Sequence, residues 1–408
     1  MSHRKTATAR LNRWRYRVSM VIVCAVFIVS FIPTLLAILP SLTEGNRVTS
    51  TVSSNYLNKF SDWYSAKVEP VQELRKLQTF PSTWVGGPVD LDKNYANFEK
   101  WFSDNLGLRN LMIRGKNELD YQLFRSSSRV YFGKDNEIYG RNLVDRRIPA
   151  MEAMLRTQAN RDIIHRGIVY FSDEMKAQGV TVIVVMPMQK PYFYSARLPF
   201  FAPELPEKTN FMALYKDLSA DSQLHMVDVY GILNSIKDDY QIFYTQDFHW
   251  TEAAALSVSK DVVNRIAALE GTHNRWNHDI KIEEKPYVGS DARFSARLDS
   301  SRTATEPFIV PDWPVTHQKI QLNPKVTGFE FETDDLSDKG LLPATCMYGN
   351  SFSDGMVQSG ISEYFQRFTK IDRERPLSDI PKLVSGKCKY LIVQILDIST
   401  GHWMSFKK

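Results

Sequence analysis

The run 180–186 (VTVIVVM) sets the tightest limit on what this chain can fold into. Its apolar residues do not alternate with polar ones, and only Thr181 interrupts them. A strand of this kind is apolar on both faces, and both faces must be covered. That points to a mostly parallel sheet between two layers of helices, and it excludes a sheet with one wet face. The flanking segments agree. Residues 158–178 and 207–220 carry helical periodicity, the first ended by Gly179. Residues 225–229 (HMVDV) read as a second, short strand. Residues 251–269 form a helix with Thr251 as N-cap and Leu256, Val262, Val263, Ile266 and Leu269 along one side. Further strands are expected at 345–348 and 390–396 (YLIVQIL), with a helix over 354–369. The expected class is therefore α/β, a parallel sheet sandwiched by helices.

A second feature lies near the N-terminus. Arg4, Lys5, Arg10, Arg13, Arg15 and Arg17 form a basic tail with no acidic residue among them. Residues 18–39 follow, 22 residues without a charge. At about 1.5 Å per residue this run can cross a hydrocarbon core of roughly 30 Å. Pro33 can kink such a helix without forbidding it. The positive end stays in the cytoplasm, so the remainder is exported. A cleaved signal peptide is the rival reading, but no small-x-small cleavage site follows the apolar run. The expected division is a cytoplasmic tail at 1–17, a single-pass anchor in the cytoplasmic (inner) membrane at 18–40, a juxtamembrane stalk at 41–79 and a catalytic domain at 80–408.

The net charge of the whole chain is +5, and the six cations of the tail exceed it, so the rest is one unit negative. No basic stripe remains for nucleic acid. There are three cysteines. Cys24 lies in the apolar run, while Cys346 and Cys388 sit in strand-like segments. An exported compartment permits a disulfide, but two buried free thiols are the expected state. No Cys-x-x-Cys or clustered histidine spacing suggests a metal, and no cofactor is expected.

Ahead of the alternating part, residues 94–125 have a helical rhythm that breaks at Gly107. RVYF at 129–132 and Ile138–Tyr139 read as a hairpin around GKDN. Residues 271–340 are polar and turn-rich, and are expected to form an irregular insertion that acts as a lid or part of an acceptor cleft.

Two motifs could carry chemistry. In Gln246-Asp247-Phe248-His249-Trp250-Thr251 a carboxylate stands two positions from an imidazole on a loop that enters a helix. A base for acyl transfer needs an imidazole whose second nitrogen is held by an acceptor, and histidine titrates near neutrality. In Tyr348-Gly349-Asn350-Ser351-Phe352-Ser353-Asp354-Gly355 a strand enters a glycine turn and Ser351 opens a helix. That exposes the hydroxyl where helix N-terminal amides can meet an oxyanion. Each motif has a bland alternative, a surface pair for the first and a helix cap for the second. Together they supply nucleophile, base and orienting acid.

At these residues the chain resembles the AlgX/AlgJ-type SGNH hydrolase-like family, whose members O-acetylate exported polysaccharides such as alginate. The resemblance covers most of 80–400. It rests on NFEKWFSDNLGLRNLMIRGKNELDYQLF with VYFGKDNEIYG, on QDFHWT and on YGNSFSDG. It implies an SGNH-like fold with a circularly permuted motif order, with Ser351 as nucleophile, His249 as base and Asp247 as its partner. It also implies an MBOAT-type membrane acyltransferase as acetyl donor and an exopolysaccharide as acceptor. The chain departs from the family at Asn136–Tyr139, where Gly-Trp-Leu-Phe is frequent, and at Asn350, where many SGNH enzymes carry Asp. Lys190 fits a family-like Pro-x-x-Lys pattern, while the residues alone read it as a solvated loop lysine. The expected activity is O-acetyl transfer. Two alternatives are an acetyl-esterase acting on polysaccharide or peptidoglycan, and a non-catalytic polymer-binding subunit of a biosynthetic complex.

Overall fold

The computed structural model describes residues 68, 70–72, 76–78, 91–104, 109–272, 276, 281–298, 304–310, 330–334 and 340–406. The tail 1–17, the apolar run 18–40, most of the stalk 41–79 and the segment 80–88 lie outside the described residues. Among the described residues no helix is long and apolar enough to cross a membrane.

The chain divides into two compact units. The first comprises residues 1–125 with 296–300. It contains helices α1 (Leu91–Asp104) and α2 (Arg109–Phe124). The buried Arg114 and Asn117 of α2 reach the carbonyls of Arg297 and Ala296 at 2.7 and 3.1 Å. Arg297 holds Glu118 through two hydrogen bonds of 3.0 and 3.1 Å and lies over the Tyr121 ring.

The second unit, residues 126–295 and 301–408, carries the sheet. It opens with the antiparallel pair β1 (Val130–Phe132) and β2 (Ile138–Gly140). Its helices include α3 (Gln158–Ala177), α4 (Asn210–Ala220) and α5 (Glu252–Leu269). The central strands are β3 (Thr181–Val185), β4 (His225–Met226), β7 (Phe331–Asp334), β8 (Thr345–Tyr348), β9 (Arg367–Ile371) and β10 (Tyr390–Gln394), in the order β4-β3-β10-β8-β9-β7. All neighbours are parallel except the edge pair of β7 and β9.

The apolar run produces this sheet by period-two alternation between two cores. Ile183, Val185, Met347 and Ile392 face the side covered by α5. Val182, Val184, Cys346, Leu391 and Val393 face the side covered by α3 and α4. Local signals fix the helix starts. Thr157, Thr209 and Thr251 each accept a backbone N–H three residues on. Gly179 ends the α3 segment with φ of +78°.

Four expectations need correction. The strand expected at 225–229 ends at Met226, because Asp228 caps a helix from Val229 by accepting the Gly231 N–H at 3.0 Å. The helix expected at 354–369 is α7 (Ser351–Gln358), halted before Gly360 at φ of +87°. The chain then turns into β9, a buried sheet strand. Cys346 and Cys388 are not free thiols but form a disulfide, with Cα atoms 5.7 Å apart. Finally, the region 271–340 is not irregular throughout. It forms the antiparallel hairpin β5 (Ile282–Tyr287) and β6 (Ala304–Ile309), the short helix α6 (Ser290–Ser295), and β7 of the main sheet.

Candidate active site

Ser351 stands just beyond the carboxyl end of β8, where an open parallel sheet presents its ligand-binding edge. The turn before it is held from three sides. A Cβ on Gly349 would meet the Gln394 Cβ and the Ser353 Oγ at 2.8 Å, so a larger residue here would have to push β10 or the turn aside. The Asn350 N–H donates to Gln394 Oε1 at 3.1 Å. The Asn350 side chain caps α7 by accepting the Phe352 N–H at 3.0 Å. Lys370 of β9, almost fully buried, donates to the Gly349 carbonyl at 3.1 Å and pairs with Asp354 at 3.3 Å. The Phe352 amide is thus already used. Among the described residues the Ser351 N–H has no intramolecular acceptor, which leaves it free at the N-terminus of α7 to meet an oxyanion.

The Asp247–His249 loop approaches from the start of α5. His249 Nε2 lies 2.8 Å from Ser351 Oγ, and its Nδ1 lies 2.8 Å from Asp247 Oδ1. Residues 102 positions apart in sequence are therefore joined in one hydrogen-bonded chain. Asp247 is buried and saturated with donors. Its Oδ1 also accepts the His249 N–H at 3.1 Å and the Ser290 hydroxyl at 2.8 Å. Its Oδ2 accepts the Tyr287 hydroxyl at 2.8 Å and the Ser290 N–H at 2.9 Å. Burial pushes the Asp247 carboxyl up, but the bonds from His249 and Ser290 outweigh it and hold the group well below the usual carboxylate range. It is an anion at any neutral pH. Tyr287 and Ser290 lie in the region expected to be irregular, and no local sequence signal marks them.

Beneath the loop lies Lys190, which is not the solvated lysine its sequence context suggests. It is 1% exposed. Its Nζ donates to the carbonyls of Thr245 at 2.7 Å, Tyr244 at 2.9 Å, Ile138 at 3.3 Å and Asp247 at 3.4 Å. It also pairs with the buried Glu137, which Arg197 grips at 2.6 Å. Two further buried carboxyls stand nearby. Asp291 is pushed up to about 8 by burial and then by the charge of Asp247. Glu306 is pushed up to about 7 by burial, although it accepts the Thr245 N–H.

The three sequence-derived residues are thus brought together, with the His249 side chain 27% exposed and that of Asp247 buried. The sequence did not reveal Tyr287, Ser290, Glu137, Lys370 or Gln394. Among the described residues no group of three His, Cys, Asp or Glu side chains could hold a metal ion.

A family model described as "SGNH hydrolase-like domain, acetyltransferase AlgX" matches residues 151–370. No curated protein matches. Among solved structures, the O-acetyltransferase domain of Pseudomonas putida AlgJ is 14% identical, with a TM-score of 0.44 over 69% of this chain and 93% of that one. Bacillus cereus PatB1 is 14% identical, with a TM-score of 0.46 over 60% and 93%. Pseudomonas aeruginosa AlgX is 14% identical, with a TM-score of 0.35 over 65% and 61%.

Proposed function

The chain belongs to the SGNH hydrolase-like family of the acetyltransferase AlgX, and on that premise we propose that it transfers acetyl groups through Ser351 onto hydroxyls of an exported polysaccharide. The observation that carries this reading is the continuous hydrogen-bonded chain Asp247–His249–Ser351, with both side-chain links at 2.8 Å. A nucleophile, a base and a buried anion that fixes the base are what acyl transfer through serine requires.

The reaction runs in two halves. His249 Nε2 takes the Ser351 proton as Oγ attacks the acetyl carbonyl carbon of the donor. The oxyanion forms near the free Ser351 N–H. The tetrahedral adduct collapses, the bond to the donor's leaving group breaks, and His249 returns the proton to that group. A sugar hydroxyl then loses its proton to His249 and attacks acetyl-Ser351. Collapse releases the acetylated sugar, and Ser351 recovers its proton. Throughout, Asp247 holds the Nδ1–H of His249 and offsets the positive charge of the imidazolium.

The donor partner in this reading is an MBOAT-type membrane acyltransferase, and residues 18–40 anchor the chain beside it with the catalytic unit on the periplasmic side. The basic tail and the span-length apolar run support that topology. The polymer is alginate, cellulose or another exopolysaccharide.

Ser351→Ala in the purified protein, assayed with an activated acetyl ester, is expected to lower kcat by about 10⁴-fold or more. Retained turnover removes Ser351 from the mechanism. A second reading, acetyl-ester hydrolysis, is favoured by the exposure of His249, which lets water reach the base. Adding an oligosaccharide and looking for acetylated sugar by mass spectrometry separates the two.

A further inference from the structure

We propose that Lys190 is the positioning residue of the acid–base loop: its buried ammonium gathers the backbone carbonyls of Tyr244, Thr245 and Asp247, and so sets where Asp247 and His249 stand relative to Ser351. The inference rests on reading Ser351, His249 and Asp247 as the reacting set.

The loop has little internal structure to hold it. Its main-chain bonds are Thr251 N–H to Ile242 O at 3.0 Å, Tyr244 N–H to His249 O at 3.1 Å and a long Asp247 N–H to Tyr244 O at 3.4 Å. Its carbonyls are fixed from outside. Three of the four from Tyr244 to Asp247 converge on one ammonium, and that of Gln246 accepts the Ala292 N–H at 3.2 Å. With those carbonyls turned inward, the Asp247 side chain is left on the side of Tyr287, Ser290 and His249. Without a cation, the Thr245 carbonyl would keep only the Ile138 N–H at 2.9 Å and that of Tyr244 only the long bond from the Asp247 N–H, while the Asp247 carbonyl would lose the donor it has in Lys190.

The chemistry around Nζ selects the charged form. Every protein atom it bonds is an acceptor, and a neutral amine would aim its lone pair at an oxygen. Burial pulls the Lys190 pKa down and the Glu137 carboxylate opposes that pull. The post itself is rigid. Lys190 follows β3 closely, its own carbonyl accepts the N–H groups of Phe193 and Tyr194 at 3.1 Å, and its ammonium sits 4.7 Å from the Tyr139 ring centre. Glu137 is locked in turn by Arg197. Lys190 touches none of the three reacting side chains, so its effect on the reaction passes through the backbone.

The experiment compares Lys190→Met, Glu137→Gln and the double variant in the full chain, reading Tm together with kcat and KM for an activated acetyl ester. Deleting only the lysine strands a buried carboxylate, and the double variant removes that fault. The expected result is a double variant with part of its Tm restored, kcat still down about 100-fold and KM within about twofold, the signature of a misplaced base. Glu137→Gln keeps the ammonium and its carbonyls, so its kcat should stay within about threefold of the parent even where Tm falls. Should the Lys190 variants not fold, this variant carries the test alone. A folded double variant with near-parental kcat overturns the proposal, as does a kcat that simply follows Tm across the series, or a folded Glu137→Gln that loses 100-fold. Ser351→Ala in the same assay keeps the two readings apart: turnover surviving there rejects the reacting set itself, whatever Lys190 does.

Discussion

The two halves of the site are held in opposite ways. The nucleophile turn is an extension of the sheet. Ser351 follows β8 within three residues, its turn is packed tightly around Gly349, and Gln394 and Lys370 reach it from the two strands that flank β8. The acid–base loop touches a strand by one backbone bond, from the Ile138 N–H of β2 to the Thr245 carbonyl at 2.9 Å. It is suspended between Lys190 on one side and Tyr287, Ser290 and Glu306 on the other, all from distant segments. A group fixed by sheet register tolerates the loss of one contact. A group fixed by a few side-chain hydrogen bonds does not, because no backbone ladder replaces them.

The sharpest way to break this comparison is Asp247→Asn. An amide keeps the shape but can present an N–H to His249 Nδ1, which favours the wrong tautomer, and kcat should fall by about 10³–10⁴-fold, with Tm lowered because an amide cannot accept all the bonds that the buried carboxylate takes from His249, Tyr287 and Ser290. A loss below tenfold would mean that the loop is oriented without its anion. Next comes Ser290→Ala. It removes one of the two bonds from Ser290 to a charged carboxylate, worth about 1.5 kcal/mol, so kcat should drop roughly tenfold in the same assay. Lys370→Met tests the other half. The turn keeps Gln394 and the Asn350 cap, so kcat should change by only about threefold while denaturant unfolding shows a loss of about 1–3 kcal/mol. If Lys370→Met harms turnover more than Ser290→Ala, the contrast between the halves is wrong.

The smallest effect is on stability and depends on pH. Burial, then Asp247, raises Asp291 from 3.8 to about 8 in the folded chain. Between those values the folded state keeps a proton that the unfolded state has lost, so stability falls as pH rises through that window. Asp291→Asn removes the effect. Its Tm should match the parent at pH 4 and exceed it at pH 8 by about 2–6 °C, corresponding to roughly 1–2 kcal/mol. A constant difference at both pH values would mean that packing, not ionisation, is responsible.

How much could be read in advance follows the same division. The setting of Ser351 was legible because strand, glycine turn and serine-led helix are contiguous, and each is a local consequence of burial or backbone freedom. His249 and Asp247 were legible as a pair two residues apart, although their partners were not. Tyr287 and Ser290 sit in a polar stretch whose pairing of β5 with β6 has no strong apolar alternation to announce it. Strand β9 was hidden because RFTKI reads equally well as the end of a helix, and only its place between β8 and β7 decides otherwise. The cysteine pair was misread for a related reason. Cys346 and Cys388 are 42 residues apart, and nothing in either segment says that β8 and β10 are neighbours.

By itself the sequence determined the class of fold and singled out Ser351, His249 and Asp247 as the candidates for chemistry. A strand apolar on both faces leaves no other way to exclude water, and the two motifs carry their residue types at short range. Only the tertiary structure decided that His249 meets Ser351, and that a lysine in a loop becomes a buried post for carbonyls 52 to 57 residues away. Hydrogen bonds between remote segments depend on distances that packing sets. The same lysine in water would gain nothing from those carbonyls that solvent does not already supply.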